Sequence, residues 1–506
     1  FMRLKSGRAA VFAAFLFGAS GPAAAQDVAL VAREGKIVLT GTLLGFDGEF
    51  YRIDTSYGAL TVDAQGVICE GPACPDLIAP KATIRIAGAP DAGTRLLPGL
   101  VRAFAESRGL LHEEGPGPGY SARILDPETR KDLAEVSFLP LDPDRATAAL
   151  AEGSAELQLT VLADSPFGAR TVALDALVPI MAPDNPTPEV STVELAAALS
   201  GAATNWAELG GPDMPLVLHA LSPDTDLARA LDARLGIPLQ PQVLHADMAA
   251  LAEAVAKDPW ALAITGRAEV GPARLLPLTD SCGFPLLPGP MAVKAEDYPL
   301  ALPLFFLTPK RRLPLMAREF LDFLASPAAE AVVARAGFID RSTGRAPMTQ
   351  DGLRLINAIQ GAGDDVTLAD LKRLVAVMDG ADRLSLTFRF EDGSTRLTPS
   401  SQENIADLAR LIASGGFAGE ALVLAGFSDG SGAAEANLAL SLERANRVAD
   451  ELRAAAPDLR EDQMPRIEGF GEALPMACDE TAAGRHLNRR VELWLVPDFT
   501  PREAAP

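Results

Sequence analysis

Between residues 28 and 68 apolar and polar positions alternate in short runs, KIVLTGTLLG, EFYRID and ALTVDA, the period-two pattern of half-buried strands. Asp47-Gly48 separates two of these runs and predicts a hairpin with a type I′ turn. Residues 26–78 are therefore expected to form a small β-barrel or sheet that serves as a packing or spacer module. From about residue 82 the period changes: strands such as ATIRIAG, LQLTVLA, DALVPIM, PLVLHAL and ALAIT alternate with helical stretches such as GTRLLPGLVRAFAESRG. STVELAAALSG adds a helix whose Ser191 and Glu194 stand at capping-box spacing. The expectation for 80–340 is a two-lobed α/β domain, closing on the amphipathic segment LPLMAREFLDFLASPAAEAVVARAGF.

Residues 341–380 hold the polar stretch RSTGRAPMTQDG and then the apolar-periodic LADLKRLVAVM, read as a connector ending in a helix. A third domain, 381–498, follows as strand (RLSLTFRF), turn at Asp392-Gly393, helix (SQENIADLARLIA), strand (ALVLAGF), loop and helix, and final strand (NRRVELWLV). Two helices and at least three strands predict a compact α+β sandwich. The whole is multidomain, α/β and α+β, behind a small β module, and 506 residues suit three domains of ordinary size.

Composition adds a compartment. Arg3, Lys5 and Arg8 precede the apolar run AAVFAAFLFGA, and Ala23-Ala24-Ala25 before Gln26 fits a signal-peptide cleavage site, so residues 1–25 are expected to be removed. Phe1 ahead of Met2 stands outside that pattern. No cysteine lies near the cleavage site, so no lipid-anchored N terminus is expected. The later apolar runs are broken by proline, and no transmembrane segment is expected after cleavage. Without the signal, 42 basic residues face 67 acidic ones, a net charge of −25 that repels phosphate backbones and excludes nucleic acid as a partner. Cys69 and Cys74 in CEGPAC are close enough for a short-loop disulfide in an oxidising compartment; no second pair follows to complete a metal site. The pairing of Cys282 and Cys478 is left open by their separation.

Two charges near the C terminus point to chemistry. In FSDGSGAAEANLALSLERANRV, Asp429 sits in a glycine-bearing loop and Arg444 on the helix that follows. At 100° per residue, Leu438, Leu442, Ala445, Ala449 and Leu452 fall on one stripe, expected to face the sheet. Arg444 and Asn437 share its flank, whereas Arg447 points away. Opposite charges so placed offer a zwitterion two complementary contacts, and equally suit a simple ion pair or a cap.

Ser428-Asp429, Gly432, Asn437, Leu440-Ser441, Arg444-Ala445, Gly469-Phe470-Gly471-Glu472, Pro475, Gly484-Arg485 and Asn488-Arg489-Arg490-Val491-Glu492, in that order, resemble the OmpA C-terminal-like, peptidoglycan-associated domain over about 115 residues. The resemblance implies that Asp429 and Arg444 hold the two ends of a diaminopimelate side chain in the peptide stem, with Asn437 and Ser428 beside them. Arg489 and Arg490 either contribute near that site or line a terminal strand. Phe427 and Ser428 replace the histidine and threonine frequent in that family, a departure expected to alter a hydrogen bond at the rim.

TNWAELGGPDMPL, preceded by DALVPIMAPDNP and followed by KDPWALAIT, YPLALPLFFL and EFLDFLASPAAEAVVARAGF, resembles the periplasmic phosphate-binding proteins that serve ABC importers. That likeness implies two lobes flanking a cleft where helix N-termini and hydroxyls face an anion. The anion residues match less well than the scaffold. Thr94, Ser222 and Thr225 are the candidate donors, while Asp91, Asp224 and Asp226 oppose an anion, so phosphate, another small solute or no ligand are the readings carried forward. His219 and Trp206 are read as packing residues beside apolar runs, and EGPGPG as a surface turn whose prolines remove the donors a phosphate loop needs.

Four scattered histidines, with no G-x-S-x-G, HExxH or paired CxxC, leave no catalytic set, no metal site and no cofactor to predict. The expected protein is a non-enzymatic periplasmic component, cell-wall or outer-membrane associated, bound to peptidoglycan and presenting a solute-binding-type domain. The alternatives are the phosphate-capturing component of an importer and an envelope adaptor whose middle domain binds a protein.

Overall fold

The computed structural model describes residues 28–32, 37–71, 73–74, 81–116, 119–162, 165–348, 352–360, 366–391, 394 and 396–497. The expected signal peptide, part of the EGPGPG turn and the turn at Asp392-Gly393 lie outside them. The chain divides into two compact units.

The first unit holds the N-terminal sheet, five antiparallel strands built from residues 28–32, 38–46, 50–55, 58–63 and 67–70. Val28, Leu30, Tyr51 and Ile53 form its core, and Cys69 is bonded to Cys74. The hairpin turn differs from the I′ form that Asp47-Gly48 predicts. Only Gly48 takes a positive φ, 95°, because the Asp47 carboxylate accepts hydrogen bonds from the amides of Glu49 and Phe50 and holds the turn from its side chain.

The second unit contains the remaining architecture. Its α/β part is built on β1 (Ala82–Gly88), α1 (Pro90–Ser107), α2 (Pro143–Glu152), β2 (Leu157–Thr160), β3 (Gly168–Met181), β4 (Val217–Leu221), α3 (Asp226–Leu235), α4 (Met248–Lys257), β5 (Ala261–Gly266) and β6 (Ala301–Thr308). The long strands β3 and β6 pair antiparallel and run between two lobes. On one side β6 continues into β2 and β1, flanked by α1 and α2; on the other β3 continues into β5 and β4, flanked by α3 and α4. The helix at Thr192–Leu199 starts on the Ser191–Glu194 capping box that its sequence predicts.

The C-terminal part contains β7 (Asp382–Arg389), α5 (Pro399–Ala413), β8 (Glu420–Phe427), α6 (Ala434–Ala455), β9 (Arg466–Gly469), α7 (Ala482–Asn488) and β10 (Arg490–Pro497). A strand at Arg345–Pro347 joins the edge beside β7, giving five strands in the order 345–347, β7, β10, β8, β9. The apolar run ALVLAGF is buried on both faces. One face packs on α5 and α6 through Leu408, Ala445, Val448 and Leu452. The other is covered by helices at Gly352–Gln360 and Leu368–Met378, through Ala358, Leu374 and Met378. The stretch expected as a connector thus supplies an edge strand and a whole layer, because the apolar outer face of the sheet requires a cover.

The α/β and C-terminal parts of this unit are joined by buried charge. Asp297 accepts from Arg383 Nη1 at 2.7 Å and from Arg389 Nη2 at 3.0 Å. Asp280 Oδ2 accepts from the Cys478 amide at 2.6 Å, and Cys282 is disulfide-bonded to Cys478, 196 residues away.

Candidate functional site

The loop 428–433 leaves the end of β8 and turns into α6. Gly432, at φ 108°, takes a backbone conformation closed to most L residues, and Gly430 lies so near the Glu472 and Asp479 carboxylates that a Cβ would stand 2.7 Å from each. The Gly430 amide donates to Asp479 Oδ2 at 2.7 Å, and Asn488 Nδ2 donates to Asp479 Oδ1 at 2.8 Å. Those contacts fix Asp429, whose Oδ1 accepts from the Ser431 amide and whose Oδ2 accepts from Arg489 Nη1, each at 3.0 Å. Burial works against its ionisation, but the Arg489 hydrogen bond and the Ser431 donors outweigh burial and hold the carboxyl below its ordinary range.

Arg444 is 8% exposed, and its only hydrogen bond among the described residues is from Nη1 to the Phe427 carbonyl, at 3.4 Å. Burial first, and then the like charge of Arg489, lower its pKa, with Asp429 and Glu443 pulling the other way. Ser428, next in the chain to Asp429, and Asn437, on the helix of Arg444, are 3% and 4% exposed, and the Ser428 Oγ and Asn437 Nδ2 atoms are buried with no hydrogen-bond partner among the described residues. Buried polar atoms are seldom left so, since each costs about 1–3 kcal/mol.

The helix does not present the stripe that its leucines predict. Leu438 and Leu442 are 40% and 43% exposed, while Asn437, Ser441 and Arg444 turn inward with Ala445, Val448, Ala449 and Leu452. Close approach explains the difference: a Cβ on Gly426 would fall 1.9 Å from the Ser441 carbonyl, and one on Gly469 2.8 Å from the Leu442 amide. With backbones so near there is no room for leucine, and Ser441 instead accepts from the Gly471 amide at 2.9 Å. Phe427, expected to act at the rim, is fully buried, stacked on Phe470 with Arg490 over its face. Arg489 faces Asp429, whereas Arg490 is wholly buried against Glu492. Asp479, which ties down the loop, was not singled out by sequence reasoning, because its partners Gly430 and Asn488 lie 49 and 9 residues away.

In the α/β part, α1, α2, α3 and α4 all begin at a cavity of about 480 Å3 between the lobes. Ser222 and Thr225 line it, but their hydroxyls donate to the carbonyls of His245 and Ser222, and Thr225 also caps α3 by accepting from the Ala228 amide. Thr94, a candidate donor, is not among the described lining residues; it is exposed in the second turn of α1, because Pro90 starts the helix four residues before it. Trp206 and His219 are packing residues. Trp206 is fully buried and donates to the Trp260 carbonyl; His219 lies against His245 and Asp258.

Residues 389–489 match the OmpA family and residues 144–328 match a PBP superfamily domain. The chain therefore carries an OmpA-family domain at its C-terminal side and a PBP-like domain before it, both binding or structural families. A probable lipoprotein of Escherichia coli K12, YiaD, is 32% identical over 108 residues, 21% of this chain and 47% of that protein. A second E. coli K12 lipoprotein, YfiB, is 36% identical over 112 residues, 21% of this chain and 65% of that protein. The chain thus spans less than two thirds of the length of these relatives. Among solved structures, a phosphate ABC transporter substrate-binding protein from Clostridium perfringens is 17% identical, covers 51% of this chain and 99% of its own, and aligns with a TM-score of 0.43. Cell-envelope association is the common ground of the domain and its relatives. No helix among the described residues is long and apolar enough to cross a membrane.

Proposed function

We propose that the protein is a non-enzymatic periplasmic component that holds peptidoglycan non-covalently through its OmpA-family domain, with diaminopimelate of the stem peptide as the bound group. The observation that carries this reading is the state of Arg444, a buried guanidinium on the helix that carries Asn437, with Asn437 Nδ2 and, in the adjoining loop, Ser428 Oγ also buried, none of them hydrogen-bonded to a carboxylate or hydroxyl among the described residues. A ligand carboxylate would supply the acceptor that Arg444 lacks, and Asp429, kept ionised, would receive the ammonium. Arg489 shares Asp429 and sets its orientation.

Co-sedimentation with purified sacculi tests the reading. Arg444→Ala and Asp429→Ala are each expected to lower the pelleted fraction at least tenfold, with the same unfolding midpoint as wild type within a few degrees. Pelleting of both variants at the wild-type level would remove the site.

A further inference from the structure

The inter-lobe cavity has four helix N-termini around it, the usual preparation for an anion. In this chain every one of those termini carries its own carboxylate. Asp91 is in the first turn of α1, Asp142 caps α2, Asp226 opens α3 and Asp247 caps α4. Two of them reach across to the opposite lobe. Asp91 accepts from the Met248 amide at the start of α4, and Asp226 Oδ2 accepts from Thr160 Oγ1 and from the Val161 amide at 3.3 Å. At α2, α3 and α4 an amide that would greet a bound anion is thus met by a side chain of the chain itself, Asp142, Thr225 and Asp247.

What remains for a ligand is different in kind. Asp175 and Asp224 also line the cavity, and no lysine, arginine or histidine is among its described lining residues, with Arg95 over the Phe338 ring, 5.8 Å from its centroid. Asp175 is 4% exposed; its Oδ1 accepts from the amides of Ala176, at 2.8 Å, and Ala268, at 3.1 Å, while its Oδ2 receives no hydrogen bond from the described residues. Leu302 stands opposite Asp175 in the β3–β6 register, and with Leu304 and Phe338 it forms an apolar wall. A buried carboxylate with one oxygen unpaired among the described residues, in the lining of an apolar-walled space of ligand size, is a receptor for a cation with a hydrocarbon body.

We propose that this cleft binds a small organic ammonium compound, its charged nitrogen on Asp175 Oδ2 and its apolar portion against Leu302, Leu304 and Phe338, and that it does not bind phosphate. Asp224 at the exposed rim adds attraction for the incoming charge. The peptidoglycan site is separate, so either assignment survives failure of the other.

The test is thermal unfolding and calorimetric titration of the full chain with 2-phenylethylamine, isopentylamine and 1,4-diaminobutane, against 2-phenylethanol, inorganic phosphate and calcium chloride. At least one amine is expected to raise Tm and bind with measurable heat, with 2-phenylethanol, phosphate and calcium giving no shift. Asp175→Asn keeps the acceptor for Ala176 and Ala268, so it folds, and is expected to weaken amine binding at least tenfold; Asp224→Ala weakens it less. The proposal is overturned by stabilisation with phosphate or with calcium alone, by absence of binding for all three amines, or by an Asp175→Asn protein that binds amine as tightly as wild type.

Discussion

Asp175 and Asp429 are both carboxylates in largely enclosed settings, and their environments drive them in opposite directions. Asp429 has a guanidinium and a backbone amide on its oxygens and stays ionised below the ordinary range. Asp175 is raised to about 6, chiefly by burial, which the amides of Ala176 and Ala268 and the charges of Arg267 and Arg95 offset only in part. Asp91 and Asp226, facing the same cavity, are raised for the same first cause. For Asp175 the folded protein binds a proton that the unfolded chain has lost between about pH 4 and pH 6, so stability falls as pH rises through that window. Asp175→Asn is accordingly expected to raise the unfolding free energy of the ligand-free protein at pH 7.5 by about 2 kcal/mol, a gain that disappears near pH 4. Denaturant titrations of both proteins across that range check it, and a loss of stability at pH 7.5 would contradict the assigned cause.

Helix α6 shows how an element can be dictated by its neighbour rather than by its own periodicity. Its second half follows the apolar pattern, with Val448, Ala449 and Leu452 in the core. Its first half is drawn onto the glycines of β8 and β9, so small and polar residues turn inward and the leucines turn out. Leu438→Lys should then change stability by no more than about 0.5 kcal/mol. Ser441→Leu should cost about 3 kcal/mol, since the added atoms have no space and the acceptor for the Gly471 amide is lost. Chemical denaturation ranks the two, and the opposite order would restore the leucine stripe.

Across the whole second unit, the solute-binding-like and OmpA-family parts share a desolvated joint. Asp297 meets both Arg383 and Arg389, and these in turn lie near Glu492, which Arg354 and Arg490 also contact. Burial lowers the pKa of Arg389, and lowers that of Arg490 to about 10, despite the acidic neighbours. Removing the carboxylate of such a group leaves buried cations uncompensated, a loss of about 3–5 kcal/mol. Asp297→Ala combined with Cys282→Ser is expected to separate unfolding into two transitions, where Cys282→Ser alone retains one. Scanning calorimetry of the full chain distinguishes these outcomes, and a single transition in the double variant would show that the joint does not rest on Asp297.

The one-dimensional pattern determined a good deal. Strands and helices with clean periods, the Ser191 capping box, the order of elements after Arg383 and the placement of Asp429 in the loop and of Asn437 and Arg444 on the helix after it were legible because each depends on neighbours a few positions away or on a motif with fixed spacing. Contacts between distant segments were decided only in three dimensions. The inward turn of Ser441 comes from glycines 15 and 28 residues away in β8 and β9, the cover over the outer sheet face comes from a stretch that reads as a connector, and the Cys282–Cys478 and Asp297 joints close loops of dozens to nearly two hundred residues. The cleft is the clearest case. The sequence shows aspartates that oppose an anion, but only the folded lobes bring four helix ends with their carboxylates together and put the buried Asp175 in one lining with Leu302, Leu304 and Phe338, because burial and charge balance belong to the assembled cavity and not to any one segment of the chain.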